Sequence, residues 1–129
     1  MGMIRLAVFA KKELSKHISR VTAASEATGV ANLGTNKGAV GISMQIGKMS
    51  VGFITAHLAA LQGNMELRNQ NVVQIVRRLS LGKLELTTQF HSLFFFGDVN
   101  YRINAPTAVV LRWIEQESWN NLLENDELA

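Results

Sequence analysis

Ser92-Leu93-Phe94-Phe95-Phe96-Gly97-Asp98-Val99-Asn100 is an apolar run that stops at a glycine and is followed at once by a carboxylate and a carboxamide two residues apart. A short run of this kind, rich in aromatic side chains and ended by a turn residue, reads as a central strand buried on both faces. In extended chain, residues two apart project to the same side, so Asp98 and Asn100 point together past the strand's end. A carboxylate beside a carboxamide can deprotonate and orient a water while holding a phosphoryl oxygen, a division of labour suited to phosphate ester hydrolysis. The same Asp-X-Asn pattern after a strand is also a common turn cap.

Outward from this run the chain alternates strands and helices. Met3 to Ala10 is rich in Ile, Leu, Val and Phe and reads as a buried strand, and His17 to Thr28 as a polar, partly extended segment or loop. Gly29 to Gly38 is turn-rich. Ala39 to Ile46 alternates Val40, Ile42, Met44 and Ile46 with small or polar residues, Gly47-Lys48 connects, and Ser50 to His57 returns, which predicts a hairpin. Asn64 is placed to cap a helix reaching Leu81, with Leu67, Val72, Ile75, Val76 and Leu79 on its apolar side and Gly82 as its stop. Arg77 and Arg78 in its last turns suit the negative end of the helix dipole as well as they suit phosphate. Leu84 to Gln89 reads as a connection. Pro106 and Thr107 open a second helix to about Glu117 with Val109, Val110, Trp113 and Ile114 as its buried stripe, and a short turn lies around Trp119 to Leu123.

The chain of 129 residues suits one compact domain with one core. The absence of Cys excludes a disulfide framework and any thiolate metal site, and fits a reducing compartment, the cytosol by default. Thirteen basic and ten acidic residues give a formal charge of +3, a mild bias toward anionic partners that names none. The apolar runs fall far short of the roughly 20 residues of a membrane span. The chain opens on a strand-like stretch and closes on the polar Glu124 to Ala129, as an excised piece of a larger domain does.

Two further places could carry chemistry. His57 ends a different apolar strand in Thr55-Ala56-His57-Leu58, where an imidazole could donate to a developing phosphoryl charge or simply bond to backbone. Asn36-Lys37-Gly38 precedes the hairpin, where backbone amides and one ammonium could cradle a phosphate. This is not a P-loop: the Gly spacing is missing and Ala39 stands where a magnesium-binding hydroxyl would be required.

The order of these signals resembles a known family. Thr28-Gly29-Val30-Ala31-Asn32, Asn36-Lys37-Gly38-Ala39-Val40-Gly41, Ala56-His57-Leu58-Ala59-Ala60, Arg68-Asn69-Gln70-Asn71 and Phe96-Gly97-Asp98-Val99-Asn100-Tyr101-Arg102-Ile103 look like successive signatures of inositol polyphosphate 5-phosphatases, the last being the most specific. The closing Leu122-Leu123 to Asp126-Glu127-Leu128 also resembles the family, and Leu79-Ser80-Leu81-Gly82 is similar to the Src-homology-domain-bearing phosphatidylinositol 3,4,5-trisphosphate 5-phosphatases.

The resemblance implies an α/β sandwich of the deoxyribonuclease-I-like endonuclease/exonuclease/phosphatase type, here partial, with two packed, mainly antiparallel sheets and flanking helices. It implies that Asp98 activates the attacking water, Asn100 positions water and phosphate, and His57 hydrogen-bonds the scissile 5-phosphate. Asn36, Lys37 and Arg102 are the implied substrate-binding residues, and Arg68, Asn69 and Tyr101 the supporting ones. It further implies Mg²⁺ as cofactor, a phosphoinositide or inositol polyphosphate as substrate, a cytoplasmic protein in peripheral contact with membranes, and no nucleic acid.

Several family features have no counterpart. Thr35 stands where the family has Gly before Asn-Lys-Gly, and the early metal-binding Glu and the later Trp-Cys-Asp-Arg and Ser-Asp-His motifs are missing. Residues 1–129 therefore read as the central part of the catalytic domain, lacking the motif segments at both ends. A magnesium site wants near-octahedral oxygen ligands, and Asp98 alone is a poor cage. The competing readings are an inactive phosphoinositide-binding or scaffold fragment, and a nuclease or other phosphodiesterase of the same superfamily.

Overall fold

The alternation of Val40, Ile42, Met44 and Ile46 becomes the centre of a sheet in a computed structural model of the chain, which describes residues 4–28 and 36–129. The elements run α1 (Lys12–Ser15), β1 (Ile18–Ala27), β2 (Gly38–Ile46), β3 (Met49–His57), α2 (Met65–Arg78), β4 (Ser92–Asp98), α3 (Thr107–Glu115) and α4 (Trp119–Glu124). The strands form one sheet in the order β1-β2-β3-β4. Its first two pairings are antiparallel, and β3 pairs β4 in parallel after the α2 crossover. The predicted hairpin is β2-β3, turned by Gly47 with φ 60°.

One face of the sheet is covered by α2 and by the chain from Leu79 to Leu86. Ala39, Ile54 and Ala56 from the sheet meet Leu58, Ile75, Leu79, Leu81 and Leu86 in the core. The helix ends at Arg78, before the expected Leu81, because Leu79 and Leu81 are drawn down against the sheet, where Gly41 leaves room for them. Ser43 Oγ then donates to the Leu81 carbonyl across 2.9 Å. Asn64 sits at the expected N-cap, but its side chain donates back to the Ala60 carbonyl and so tightens the turn that enters the helix.

Further expectations are corrected. Residues 4–11 lie in no strand: among the described residues no ladder partner stands beside them, and Phe9 is exposed. His17 to Thr28 holds strand β1, which agrees with the extended reading of this segment and not with a loop. The aromatic run of β4 is at the edge of the sheet, with Phe94, Phe95 and Phe96 all exposed, where burial on both faces was expected. The stripe of α3 is half-buried at best and Ile114 is exposed. α2 covers one face of the sheet, and the other face is open where Phe53 stacks on Phe94 with centroids 5.3 Å apart, while Met44 and Val51 further along it are buried. That open face is where a second sheet of a sandwich packs, while the described residues hold one sheet. The turn expected at Trp119 to Leu123 is helix α4. No helix is long and apolar enough to cross a membrane.

Gly97 joins this fold to what lies beyond β4. Its φ of 122° belongs to the region that only glycine occupies readily, and a Cβ there would sit inside contact distance of the Ala56 carbonyl oxygen on β3. We therefore expect Gly97→Ala to destabilise the fold by about 1–3 kcal/mol or more through strained backbone and lost β3-β4 pairing. A shift of the urea midpoint smaller than about half a kcal/mol would show that the strand end tolerates a side chain.

Candidate active site

Three chain segments meet at one end of the sheet. The register places Gly38 of β2 opposite His57 of β3, and His57 beside Asp98 of β4. The pairing continues one step further, as the Leu58 amide donates to the Asp98 carbonyl at 3.0 Å. By strand alternation His57 shares the open face with Phe53 and Thr55, and Asp98 shares it with Phe94 and Phe96. Lys37, just before β2, completes the row.

The distances within this row carry its chemistry. His57 Nε2 lies 3.5 Å from Asp98 Oδ2, and Lys37 Nζ lies 2.5 Å from the same Nε2. A lysine ammonium has only donors, so that contact requires a neutral imidazole with a bare Nε2, whereas an ion pair with Asp98 requires a protonated one. The two neighbours compete for one ring nitrogen. A phosphate oxygen entering between them would accept from both His57 and Lys37. The site is open to water, with His57 at 32% and Asp98 at 65% side-chain exposure.

Asn100 sits in the left-handed region at φ 58°, which Asn tolerates better than most residues. Its Nδ2 donates to the Leu58 carbonyl at 3.1 Å, which fixes it beside the residue that follows His57. Its Oδ1 accepts from Arg102 Nη2 at 2.9 Å, and Arg102 Nε donates to the Asn100 carbonyl at 3.1 Å. Arg102, expected to face substrate, is thus turned onto Asn100. Among the described residues, one N–H and one lone pair of the Asn100 amide have no partner. Asn36 is exposed in the turn before Lys37. The Thr28 to Asn32 motif and Thr35 fall, apart from Thr28, outside the described residues.

Behind this row lies a buried polar layer. Arg68 of α2 is fully buried; its Nη1 donates to the Ala59 and Leu61 carbonyls at 3.1 and 2.9 Å, and its Nη2 to Glu127 Oε2 at 2.5 Å. Its guanidinium stands 5.6 Å from the Tyr101 ring centroid. Asn69 accepts from the Tyr101 hydroxyl at 2.6 Å, and Asn71 Oδ1 accepts from the Ala59 amide at 3.1 Å. Glu127 and Asn71 lie within stretches that resemble the family, but sequence reasoning gave neither of them a role. Both are polar residues in polar stretches, and their burial is what gives them a role. Among the described residues no group of three His, Asp or Glu side chains is placed to hold a metal ion.

Residues 1–129 match the model of endonuclease/exonuclease/phosphatase family 2. The chain is 39% identical over 133 residues to human phosphatidylinositol 3,4,5-trisphosphate 5-phosphatase 1, covering 97% of this chain and 11% of that protein. It is 38% identical over 130 residues to zebrafish phosphatidylinositol 3,4,5-trisphosphate 5-phosphatase 2A, covering 97% of this chain and 10% of the relative. The inositol polyphosphate 5-phosphatase domain of synaptojanin, solved with inositol (1,4)-bisphosphate and calcium, superposes with a TM-score of 0.81 at 30% identity over 91% of this chain and 34% of its own. The chain thus spans about a tenth of the length of these two relatives.

The polar layer has a pH signature. Burial pushes the Tyr101 phenol above its ordinary value of 10.0, with the Arg68 guanidinium opposing and the Glu127 carboxylate adding to the rise. A folded-state value raised above the unfolded one means that the stabilisation is whole below pH about 10 and is lost as pH rises through the folded value. Unfolding free energy should therefore fall in that alkaline window, and Tyr101→Phe should flatten that fall. At neutral pH the same variant should lose about 1 kcal/mol with its bond to Asn69. An alkaline slope identical in the two proteins would remove Tyr101 from the account.

Proposed function

Because the chain belongs to endonuclease/exonuclease/phosphatase family 2, we propose that it is the central part of a phosphoinositide 5-phosphatase catalytic domain and carries its Asp98, Asn100 and His57 machinery. One observation carries this reading: the parallel register of β3 and β4 sets His57 beside Asp98, with Lys37 against the same imidazole nitrogen. Phosphate ester hydrolysis requires a base for the incoming water and donors for the phosphoryl oxygens, and this row presents both within one hydrogen-bonding span.

In this reading the 5-phosphate enters between Lys37 and His57, which donate to its oxygens. Asp98 takes the proton of the attacking water, and Asn100 orients that water with its free N–H or lone pair. Arg102 serves substrate through Asn100, and Asn36 and Lys37 face the inositol ring. Arg68, Asn69 and Tyr101 hold the two loops in place. The similarity of the chain to phosphatidylinositol 3,4,5-trisphosphate 5-phosphatases supports a phosphoinositide substrate. In this reading a cytoplasmic protein meets that lipid at the membrane surface.

The resemblance brings Mg²⁺ to this site, and calcium accompanies inositol (1,4)-bisphosphate in the synaptojanin domain. The described residues do not make a cage for it. They offer one carboxylate at the strand end, Asp98, whereas magnesium wants near-octahedral oxygen coordination. Bound there, the ion would supply neutralisation of phosphate charge, and its further ligands would have to come from outside the described residues.

A second reading, an inactive head-group-binding segment, draws on the same shortage of ligands. Phosphate release from phosphatidylinositol 3,4,5-trisphosphate vesicles by the full-length protein decides between the two. Asp98→Ala should lower turnover by roughly 10²–10⁴-fold, the usual worth of a general base. Chelation by EDTA should stop release, and added Mg²⁺ should restore it. Turnover unchanged in Asp98→Ala overturns the hydrolytic assignment, and head-group binding without release by the wild type favours the second reading.

A further inference from the structure

We infer that Glu127 is a positioning residue of this site, tying the loop that follows His57 to the turn that carries Asn100 through a single carboxylate oxygen. The inference rests on the hydrolytic reading above and names a residue which that reading does not use.

The connections are continuous. Glu127 Oε2 accepts from Arg68 Nη2 at 2.5 Å and from the Arg102 amide at 2.9 Å. On one side, Arg68 passes the constraint to the carbonyls of Ala59 and Leu61, in the loop that leaves β3 directly after His57 and Leu58. On the other side, Arg102 grips Asn100 at both its carbonyl and its side-chain oxygen. Asn100 closes the circuit by donating to Leu58. Both loops that leave the catalytic strands thus depend on one acid from the far end of the chain.

Backbone pairing brings that acid there. Ile103 and Asp126 form an antiparallel bridge, the Glu127 amide donates to the Arg102 carbonyl at 3.0 Å, and the Asn104 amide donates to the Asn125 carbonyl at 2.7 Å. Side-chain exposure is 0% for Arg68 and 6% for Glu127, so water does not stand in for either partner. Among the described residues Arg68 Nε already lacks a partner. Without Glu127 the guanidinium would keep only its two carbonyls, and an unpaired buried charge would pull the loop toward water. The rigid guanidinium fork matters too, because it fixes direction as well as charge.

A positioning role differs from a purely structural one in what it does to turnover. In the full-length protein, hydrolysis of a soluble inositol polyphosphate should show kcat per folded molecule lowered by about 10²-fold in Glu127→Ala with KM little changed, since a displacement of about 1 Å at a reacting group has that effect. Glu127→Gln keeps an oxygen that can accept both bonds and should recover most of kcat. Folded fraction is taken from circular dichroism. An unchanged kcat per folded molecule in Glu127→Ala overturns the proposal.

Should Glu127→Ala not fold, Arg68→Lys keeps the charge and removes the fork. The Asn100 side-chain amide signal in its ¹⁵N NMR spectrum should shift and exchange faster with water, and an unmoved signal overturns the proposal. The same signal separates the two levels of inference. If the wild type hydrolyses no inositol phosphate, the hydrolytic reading fails, and the amide signal still reports whether Glu127 places Asn100.

Discussion

The parallel pairing of β3 with β4 is the constraint from which the rest of this structure follows. Parallel neighbours cannot be joined by a tight turn, so the chain must leave β3 and cross back over the sheet before β4 begins. The crossover is α2, whose buried side supplies Ile75 to the core and Arg68 to the polar layer. Because both strands run in the same direction, they end at the same edge, and the residues that end them, His57 and Asp98, become neighbours. An antiparallel pairing of the same two segments would have put them at opposite ends. Gly97 makes the close approach possible where any larger residue would meet the β3 backbone.

Strand ends are poor places to hold side chains still, because beyond the last ladder bond the backbone has no regular partner. The buried layer answers that problem. Exchanging a buried ion pair for apolar residues of similar volume is often neutral or favourable, whereas removing one partner alone is strongly destabilising, by about 3–5 kcal/mol. Arg68 and Glu127 are therefore weakly explained as a source of net stability. They are better explained by direction: hydrogen bonds fix angles, and apolar packing of the same volume would leave the Ala59 and Leu61 carbonyls unsatisfied. Tyr101 adds to this arrangement, with its ring against Arg68 and its hydroxyl on Asn69.

How far the sequence discloses this arrangement depends on whether the cause is local. The β2-β3 hairpin was legible because alternation and a Gly-Lys turn are short-range signals, and the start of α2 was legible because Asn64 lies where the helical apolar period begins. The end of α2 was misplaced because Leu79 and Leu81 answer to Gly41, a residue distant in sequence. Met3 to Ala10 and Phe94 to Phe96 show a related limit, since apolar content records that a segment requires cover without saying what provides it. The neighbourhood of His57 and Asp98 came from family resemblance, because no spacing rule encodes strand order. Glu127, in a polar closing segment, has the composition of a solvated tail, and its role becomes visible only when its 6% side-chain exposure is set beside a fully buried arginine.

Charges at a protein surface interact under high effective dielectric, so a pair such as His57 and Asp98, open to water, gains little from its 3.5 Å separation. Catalytic electrostatics become large only where water is excluded and donors stay fixed as charge develops. The open face that carries Phe53, Phe94 and Phe96 adjoins the row on the same side of the sheet. Covering that apolar face would bury the aromatic side chains and wall the row in one step. Cover over the apolar rings and a lower dielectric at the row are thus one and the same demand, and the described residues that prepare for it are those that already hold Asn100, His57 and Asp98 in register.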